Sequence, residues 1–530
     1  MNILKTLVKY FLNLKYIHQI LLIISNLKLT KNQKAFIKFN EANYEEIFSS
    51  RQILIDVFNV PEHLLAYSIF ANNLAKISNS AIKPFLYKDT IFDAKVAKIY
   101  SSFNAKDLLR INLTKKQIDE VDKYIKAVNF KEKKDVIDYE INGVNLGIDI
   151  YESYLREFNK PTIELDDPKF INLLRIGLEH YVFFTAYLKK NDVSAIIVSH
   201  DNFIWTNILC KLGYLNKIPV YLPNCWELVL ANKPFSVYEK IYHYKKSFNL
   251  LSMQQKKVAR KLAKKQLMNK FDGKKIPSMM YIDQSPYRES LNKISHIKTS
   301  QNINILIATH CFFDNPHPYS KSNFVDFYEW LHFLGKLSIN TNYDWYIKIH
   351  NDPAPGTEEI IKKILLSYPN INWIDKRANH NDLIRSGIDL AITSHGTIGE
   401  EYPYFDIPVL NCAINPRINY SFNFHLYERD KITDFIKNLP KFIGKKLNKN
   451  EIFEYYYTHH KMHKDDSLIF NSYEDFIDAK SSFINSDEAY IYFLSQINKK
   501  RLNEIEKKIK LFIKSKRNYS YINFLDNKFN

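Results

Sequence analysis

Glycine is scarce in this chain, with 11 residues in 530. Each one therefore marks a place where the backbone has to turn tightly or come close to something without a side chain in the way. Cysteine is scarcer still. Cys210, Cys225, Cys311 and Cys412 are scattered, with no Cys-x-x-Cys pair and no metal-ligand spacing. That argues against a disulfide framework or a structural zinc site, and it suits free thiols in a reducing, cytoplasmic compartment. No apolar run reaches the ~18–20 residues that cross a bilayer. Acidic residues are outnumbered, with 57 Asp and Glu against 75 Lys and Arg, a formal charge of +18. A nucleic-acid-binding module would gather such charge beside exposed aromatics. Here the basic residues are spread along the chain, and part of the excess belongs to a bias toward Lys, Asn, Ile, Tyr and Phe. No nucleic-acid partner is expected.

What is present describes a globular protein. Hydrophobic residues make up 46% and aromatics 15% of the chain, too much apolar surface for disorder. The length exceeds what one core supports, so two or three domains are expected. Residues 1–48 stand apart. Lysines 5, 9, 15, 28, 31, 34 and 38 precede the first acid, Glu41, and are interleaved with Leu4, Leu7, Val8, Phe11, Leu12 and Leu14. A basic amphipathic helix over residues 1–40 either docks on an anionic membrane surface or packs on its own domain. No small-residue cleavage site follows it, so it does not read as a signal peptide.

From residue 49 on, short buried strands alternate with helices. "RQILIDVF" (51–58) reads as a strand, "PEHLLAYSIFANNLAKIS" as a helix with Pro61 in its first turn, and "AIKPFLY" as a strand. A polar helical insertion, about 90–190, interrupts the series. It holds "INGVNLGIDIYESYLR", whose glycines mark a turn before a helix. Strands at 194–199 and 219–222 resume it. A charged linker ends in Gly, Pro and turn formers, which places a domain boundary near 290–300. Then "INILIATH", "WYIKIH", "INWID", "DLAIT" and "PVLNC" alternate with helices. Strand–helix alternation predicts α/β architecture: two Rossmann-like, doubly wound domains (49–295 and 296–440) facing across a cleft, with helical extensions at both ends. The tail, 441–530, is expected to cross back to the first domain.

Candidate chemistry clusters where strands end. In "GIDLAITSHGTIGEEYPYFDIPVLNC" the strand closes at Thr393 and Ser394-His395-Gly396 make the turn. Thr397-x-x-Glu400 then has capping-box spacing, which fixes a helix start. A helix start at the carboxyl end of a parallel strand offers free N–H groups to a phosphate. A carboxylate one turn on can take ribose hydroxyls: Glu400, or Glu401 if Glu400 only caps the helix. Lys348 and His350 close the strand "WYIKIH", where a cation can neutralise a leaving phosphate. His310 ends another strand, with Asp314 and His317 in its loop. Opposite them His200-Asp201 follow a strand of the first domain: His200 is the expected base for an acceptor hydroxyl, with Asp201 orienting it or acting itself. Asp56 is a further candidate. His459, His460 and His463 have helical metal-site spacing without a carboxylate or cysteine fixed nearby in the sequence, and no metal is expected there.

The segment "TSHGTIGEEYPYFDIPVLNC" resembles the nucleotide-binding element of GT-B glycosyltransferases and of UDP-N-acetylglucosamine 2-epimerases. "ILIATHCFFDNP" is similar to the epimerases' strand ending in Thr-His. "IKIHNDP" looks like their His-x-Asn-Pro element or the Lys-Pro-His-Pro element of capsule transferases, with Ile349 in place of the proline. Where the epimerases carry Arg-Arg-Glu-Asn, this chain has Cys311-Phe312-Phe313-Asp314-Asn315. The whole is most similar to capsule and surface-polysaccharide transferases. That resemblance implies a GT-B fold and no required metal or cofactor. The donor would be UDP-, CMP- or GDP-linked, and the acceptor a saccharide or lipid-linked saccharide at the inner face of the membrane. Epimerisation of a UDP-sugar is the alternative.

Overall fold

The computed structural model describes residues 29–86, 94–274, 285–287, 297, 300–350, 353–462, 468–469 and 487–520. Two six-stranded sheets organise them. In the first half lie β1 (Gln52–Asp56), β2 (Ala81–Leu86), β3 (Leu109–Arg110), the hairpin β4 (Glu140–Ile141) with β5 (Val144–Asn145), β6 (Val193–Ile197), β7 (Val220–Pro223) and β8 (Leu228–Ala231). The sheet runs β3-β2-β1-β6-β7-β8, parallel except for the last pairing. In the second half are β9 (Asn304–Ala308), β10 (Asp344–Lys348), β11 (Ile371–Ile374), β12 (Leu390–Thr393), β13 (Val409–Asn411) and β14 (Phe424–His425). They run β11-β10-β9-β12-β13-β14 and are parallel throughout. Each order reverses beside its first strand, between β1 and β6 and between β9 and β12. Doubly wound sheets bind ligands at the carboxyl side of that reversal.

Why these runs form strands follows from burial on both faces. Ile53 and Ile55 join one apolar cluster while Leu54, pointing the other way, joins a second. In the other domain Ile305 and Ile307 face one cluster and Leu306 another. This is the period-two alternation of a strand sandwiched between helices.

Two expectations change. The region 90–190 is not an insertion beside the domain. It supplies edge strand β3 and the helices Gly147–Phe158 and Pro168–Lys190, whose Tyr151, Tyr154, Leu174 and Leu178 cover the Leu54 face of the sheet. It read as polar because its outward faces are: the helix Lys115–Ala127 buries Val121 alone. The chain also adds strands β8 and β14 at the far edges.

Most of residues 1–40 lie outside the described residues. The part within them, helix Lys31–Asn43, packs inside the protein, with Phe36 stacked on Tyr490 at 4.9 Å. Tyr490 belongs to the tail helix Glu488–Gln496. The final helix Lys499–Ser515 lies on the helix Pro61–Ser78, and Leu230 N–H donates to Asn518 O at 2.8 Å. Earlier in the tail, the helix Lys449–His460 pairs with the helix Met253–Phe271 that leads out of the first domain. No helix among the described residues is long and apolar enough to cross a membrane.

The halves are fastened by the loop after β9, residues 309–326. Tyr151 O–H donates to Asp326 at 2.5 Å, His317 N–H donates to Glu152 at 3.0 Å, and Lys321 reaches Asp138 at 2.9 Å. An exposed pair, Arg156 with Asp314 at 3.5 Å, lies alongside.

Candidate functional site

At the β9/β12 reversal the side chains form a chain of hydrogen bonds. Gly396 N–H donates to Thr393 Oγ1 at 3.2 Å, and that hydroxyl lies 3.0 Å from His310 Nε2. His395 N–H reaches the same nitrogen at 3.3 Å. Accepting from both, Nε2 carries no proton, so the network assigns the imidazole proton to Nδ1. Burial drives His310 well below the usual histidine range, with His395 and Arg417 adding to the effect. Burial and Arg417 likewise push His395 down to about 3. Both rings are neutral hydrogen-bonding groups at pH 7. They lie 4.3 Å apart, and His310 stacks on Phe327 at 4.9 Å.

Gly396 is required by closeness: a Cβ there would stand 2.8 Å from Thr393 Oγ1 and 3.3 Å from His310 Cε1. The turn is open. Ser394 is buried, His395 and Gly396 are half-buried, and Thr397 is exposed. The expected capping box does not form. Thr397 is itself helical at φ −65°, ψ −17°, its side chain makes no cap bond, and Ile398–Glu401 is a single turn that tightens into Tyr402–Phe405. Pro403 cannot donate to a regular continuation. The amides of Thr397 and Ile398 make no hydrogen bond among the described residues.

The glutamates face inward. Glu400 lies 2.8 Å from His460 Nε2 and 3.6 Å from Arg417 Nη1. Burial raises its acid, but His460, Lys270 and Arg417 outweigh that and hold it well below the usual carboxylate range. Glu401 pairs with buried Lys270 and accepts Tyr287 O–H at 2.6 Å. Glu401 therefore belongs to an interior ion pair instead of an open ribose contact. Lys348 is buried as well. Its Nζ donates to Lys376 O at 2.9 Å, and burial lowers its pKa to about 8. His350 is exposed just beyond β10.

Sequence reasoning missed Arg417. Buried in the loop after β13, it donates from Nη2 to His395 O at 2.8 Å and to Asn411 Oδ1 at 3.3 Å, while Nη1 faces Glu400. It is the cation that shapes the 394–397 turn. The one signal was an arginine in a chain that otherwise prefers lysine.

Across the cleft, His200 and Asp201 follow β6 on the wall of a cavity of about 1000 Å³. Phe58, His63, Trp226 and Tyr238 line it from the first domain; Asn315, His317, Pro318 and Lys321 close it from the second. His200 packs at 5.3 Å against Phe58 and 5.5 Å against His63. It is open to the cavity but set in a concave wall, and that confinement, with Arg156, lowers its pKa. Burial, with Asp149 reinforcing it, raises Asp201 to about 7. The helix that follows opens with a π-wound turn, Phe203–Asn207, a feature frequent at functional sites.

Asp56 is a clamp for its own switch point. It accepts from Ser199 N–H at 3.0 Å, Ser199 Oγ at 2.7 Å and Tyr67 O–H, and is fully buried. His317 is held by Glu152, with Nδ1 at 3.0 Å. His459 Nδ1 meets Tyr244 O–H at 3.0 Å and His460 meets Glu400, while His463 lies outside the described residues. Among the described residues no three metal-ligating side chains converge. Two ring contacts connect the sites: Tyr238, in the cavity wall, packs 5.2 Å from Tyr319, which packs 5.8 Å from His395.

No family model matches the chain, and no curated protein matches it. Solved structures similar to it include the UDP-GlcNAc 2-epimerase of Neisseria meningitidis bound to UDP-GlcNAc (11% identity, 84% of this chain and 99% of that one, TM-score 0.21). A β-Kdo 2,4 transferase, KpsC, of Thermosulfurimonas dismutans matches at 12% identity over 50% and 79%, with TM-score 0.31. The Anabaena HepE protein, solved with UDP and glucose, matches at 9% over 88% and 99%, with TM-score 0.24. These neighbours span the two groups that the sequence resembles. At such TM-scores they carry no functional weight, and the reading below rests on the geometry.

Proposed function

We propose that this protein is a glycosyltransferase that moves a sugar from a nucleotide-activated donor to a saccharide or lipid-linked saccharide acceptor, in capsule or surface-polysaccharide assembly. One observation carries the reading. A glycine turn exposed at Thr397, with unbonded amides at the switch point of one Rossmann-like sheet, lies two rings away from a large cavity whose wall holds an acid with a pKa of about 7.

In the proposed reaction the donor phosphate sits against the N–H groups of Thr397 and Ile398, with the neutral rings of His395 and His310 beside it. The acceptor occupies the cavity, where Phe58, Trp226 and Tyr238 offer apolar faces to a sugar. Asp201 takes the proton of the attacking hydroxyl. His200 is the second candidate, since an imidazole with a lowered pKa remains unprotonated and able to accept. As the new C–O bond forms, the bond between the anomeric carbon and the phosphate oxygen breaks. The charge that develops on the leaving nucleotide meets fixed donors in a confined site, the arrangement that lowers such barriers. Arg417 holds the turn in shape from behind.

Purified protein incubated with nucleotide sugars and saccharide acceptors should release free nucleotide only when both are present. Interconversion of the donor sugar without acceptor would assign the chain to epimerisation and refute the transferase reading.

A further inference from the structure

The helix Met253–Phe271 contains no acidic residue, yet carries Lys256, Lys257, Arg260, Lys261, Lys264, Lys265 and Lys270. Its inner face is well occupied. Ala263, Leu267 and Phe271 enter one apolar cluster and Ala259 another, Arg260 pairs with Glu454 and Lys270 with Glu401. The outer face has no such partners. Lys257, Lys261, Lys264 and Lys265 are exposed, and none has a carboxylate within ion-pair distance among the described residues. Lys257, Lys261 and Lys264 follow helical spacing and share a stripe.

The adjoining stripe is apolar. Val258, 47% exposed, and Leu262, 37% exposed, lie four residues apart on it; Met253, at 78%, opens the helix on the other side of the lysine stripe, and Tyr242 and Leu250, at 43% and 36%, precede the helix. Five of the 14 large hydrophobic side chains that stand exposed among the described residues thus fall within residues 242–262. Isolated exposed apolar residues need no explanation, but an exposed aliphatic pair on the helix face beside unpaired lysines does.

We propose that the outer face of the helix Met253–Phe271 docks on an anionic lipid surface, with Lys257, Lys261, Lys264 and Lys265 at the headgroups and Val258 and Leu262 in the acyl boundary. Cations beside aliphatic side chains fit that interface. A nucleic-acid strand would leave the aliphatic stripe in water, and among the described residues of this helix no aromatic stands exposed for base stacking. This surface is distinct from the basic segment 1–40 and independent of the proposed activity. It lies on the helix that leads out of the first domain and packs against Lys449–His460, so docking would hold both halves at the membrane.

The test is co-sedimentation of the full chain with phosphatidylcholine vesicles, with and without phosphatidylglycerol. The protein should pellet only with the anionic vesicles and be released at about 1 M salt, where screening falls to about 3 Å. Replacing all four lysines by glutamine should weaken binding roughly 10²–10³-fold, at about fivefold per lysine, with an unchanged melting temperature. Val258→Trp should show a blue-shifted emission on anionic vesicles alone. Three results would each overturn the proposal: no binding to anionic vesicles; binding lost with Lys5, Lys9 and Lys15 changed to glutamine but retained in the four-lysine variant; or lysine-dependent retention of single-stranded DNA without vesicle binding.

Discussion

Gly399→Ala tests whether Arg417 shapes the turn. A Cβ at 399 would stand 2.7 Å from Arg417 Nε, 3.1 Å from its Cζ and 3.1 Å from Asn411 Oδ1. Ordinary contact begins at about 3.5 Å, so with Nε at 2.7 Å the guanidinium must retreat by about 0.8 Å. That retreat carries the 2.8 Å bond to His395 O beyond the ~3.2 Å limit of a good N–H···O bond. A hydrogen bond to a charged group is worth about 1.5–3 kcal/mol, and overpacking costs about 1–3 kcal/mol. Retreat relieves the second at the expense of the first, so the two do not add, and we expect a loss of about 2–3 kcal/mol. In a domain of this size that lowers the melting temperature by about 4–12 °C. The assay is a double-mutant cycle by chemical denaturation with Arg417→Ala. In that background Gly399→Ala should cost less than about 0.5 kcal/mol, because the obstacle is gone. Equal costs in both backgrounds would refute the link between Gly399 and Arg417.

Other predictions follow from the titrating groups. Lys270→Met leaves Glu401 buried beside Tyr287 without its cation and should cost about 3–5 kcal/mol in denaturant unfolding, most of it recovered by adding Glu401→Leu. Glu400 is held below its unfolded pKa, so its contribution is present above about pH 4.5 and fades as pH falls toward the folded value. Wild type should lose stability below that point more steeply than Glu400→Gln. Asp201 behaves oppositely: with a folded pKa of about 7, the native state keeps a proton that the unfolded chain releases from about pH 4 upward. Its contribution to stability therefore declines across that window, while the transfer rate should rise through pH 7. Asp201→Asn should reduce kcat about 10²–10⁴-fold and abolish that limb of the pH profile, with KM for the donor little changed.

The fold was legible in the sequence because its central strands are buried on both faces: "ILI" in β1 and "ILI" in β9 leave no polar position to confuse with a loop. The edge strands were not. β3 and β14 have two residues each, too few for any period, and β8 reverses direction, which alternation of strands and helices does not predict. The turn at 394–397 was visible because glycine is rare enough here to notice. The partners that decide its chemistry were hidden by distance along the chain. Glu401 meets Lys270, Glu400 meets His460 sixty residues on, and Glu152 meets His317 at a separation of 165. Reading the glutamates as ligands assumed that no cation of the chain reached them first.

The central claim is that the amides past His395 hold a nucleotide's phosphate. Thr397 already has φ −65°, the value that proline fixes, so Thr397→Pro removes one N–H with the native backbone angle preserved. Thermal shifts of wild type and this variant should be compared across UDP, CDP, GDP and CMP. At about 100-fold over Kd a bound nucleotide adds about 2.7 kcal/mol; the account predicts that gain for wild type with one nucleotide and its loss in Thr397→Pro. Equal stabilisation of both proteins, or of neither by any nucleotide, would contradict it.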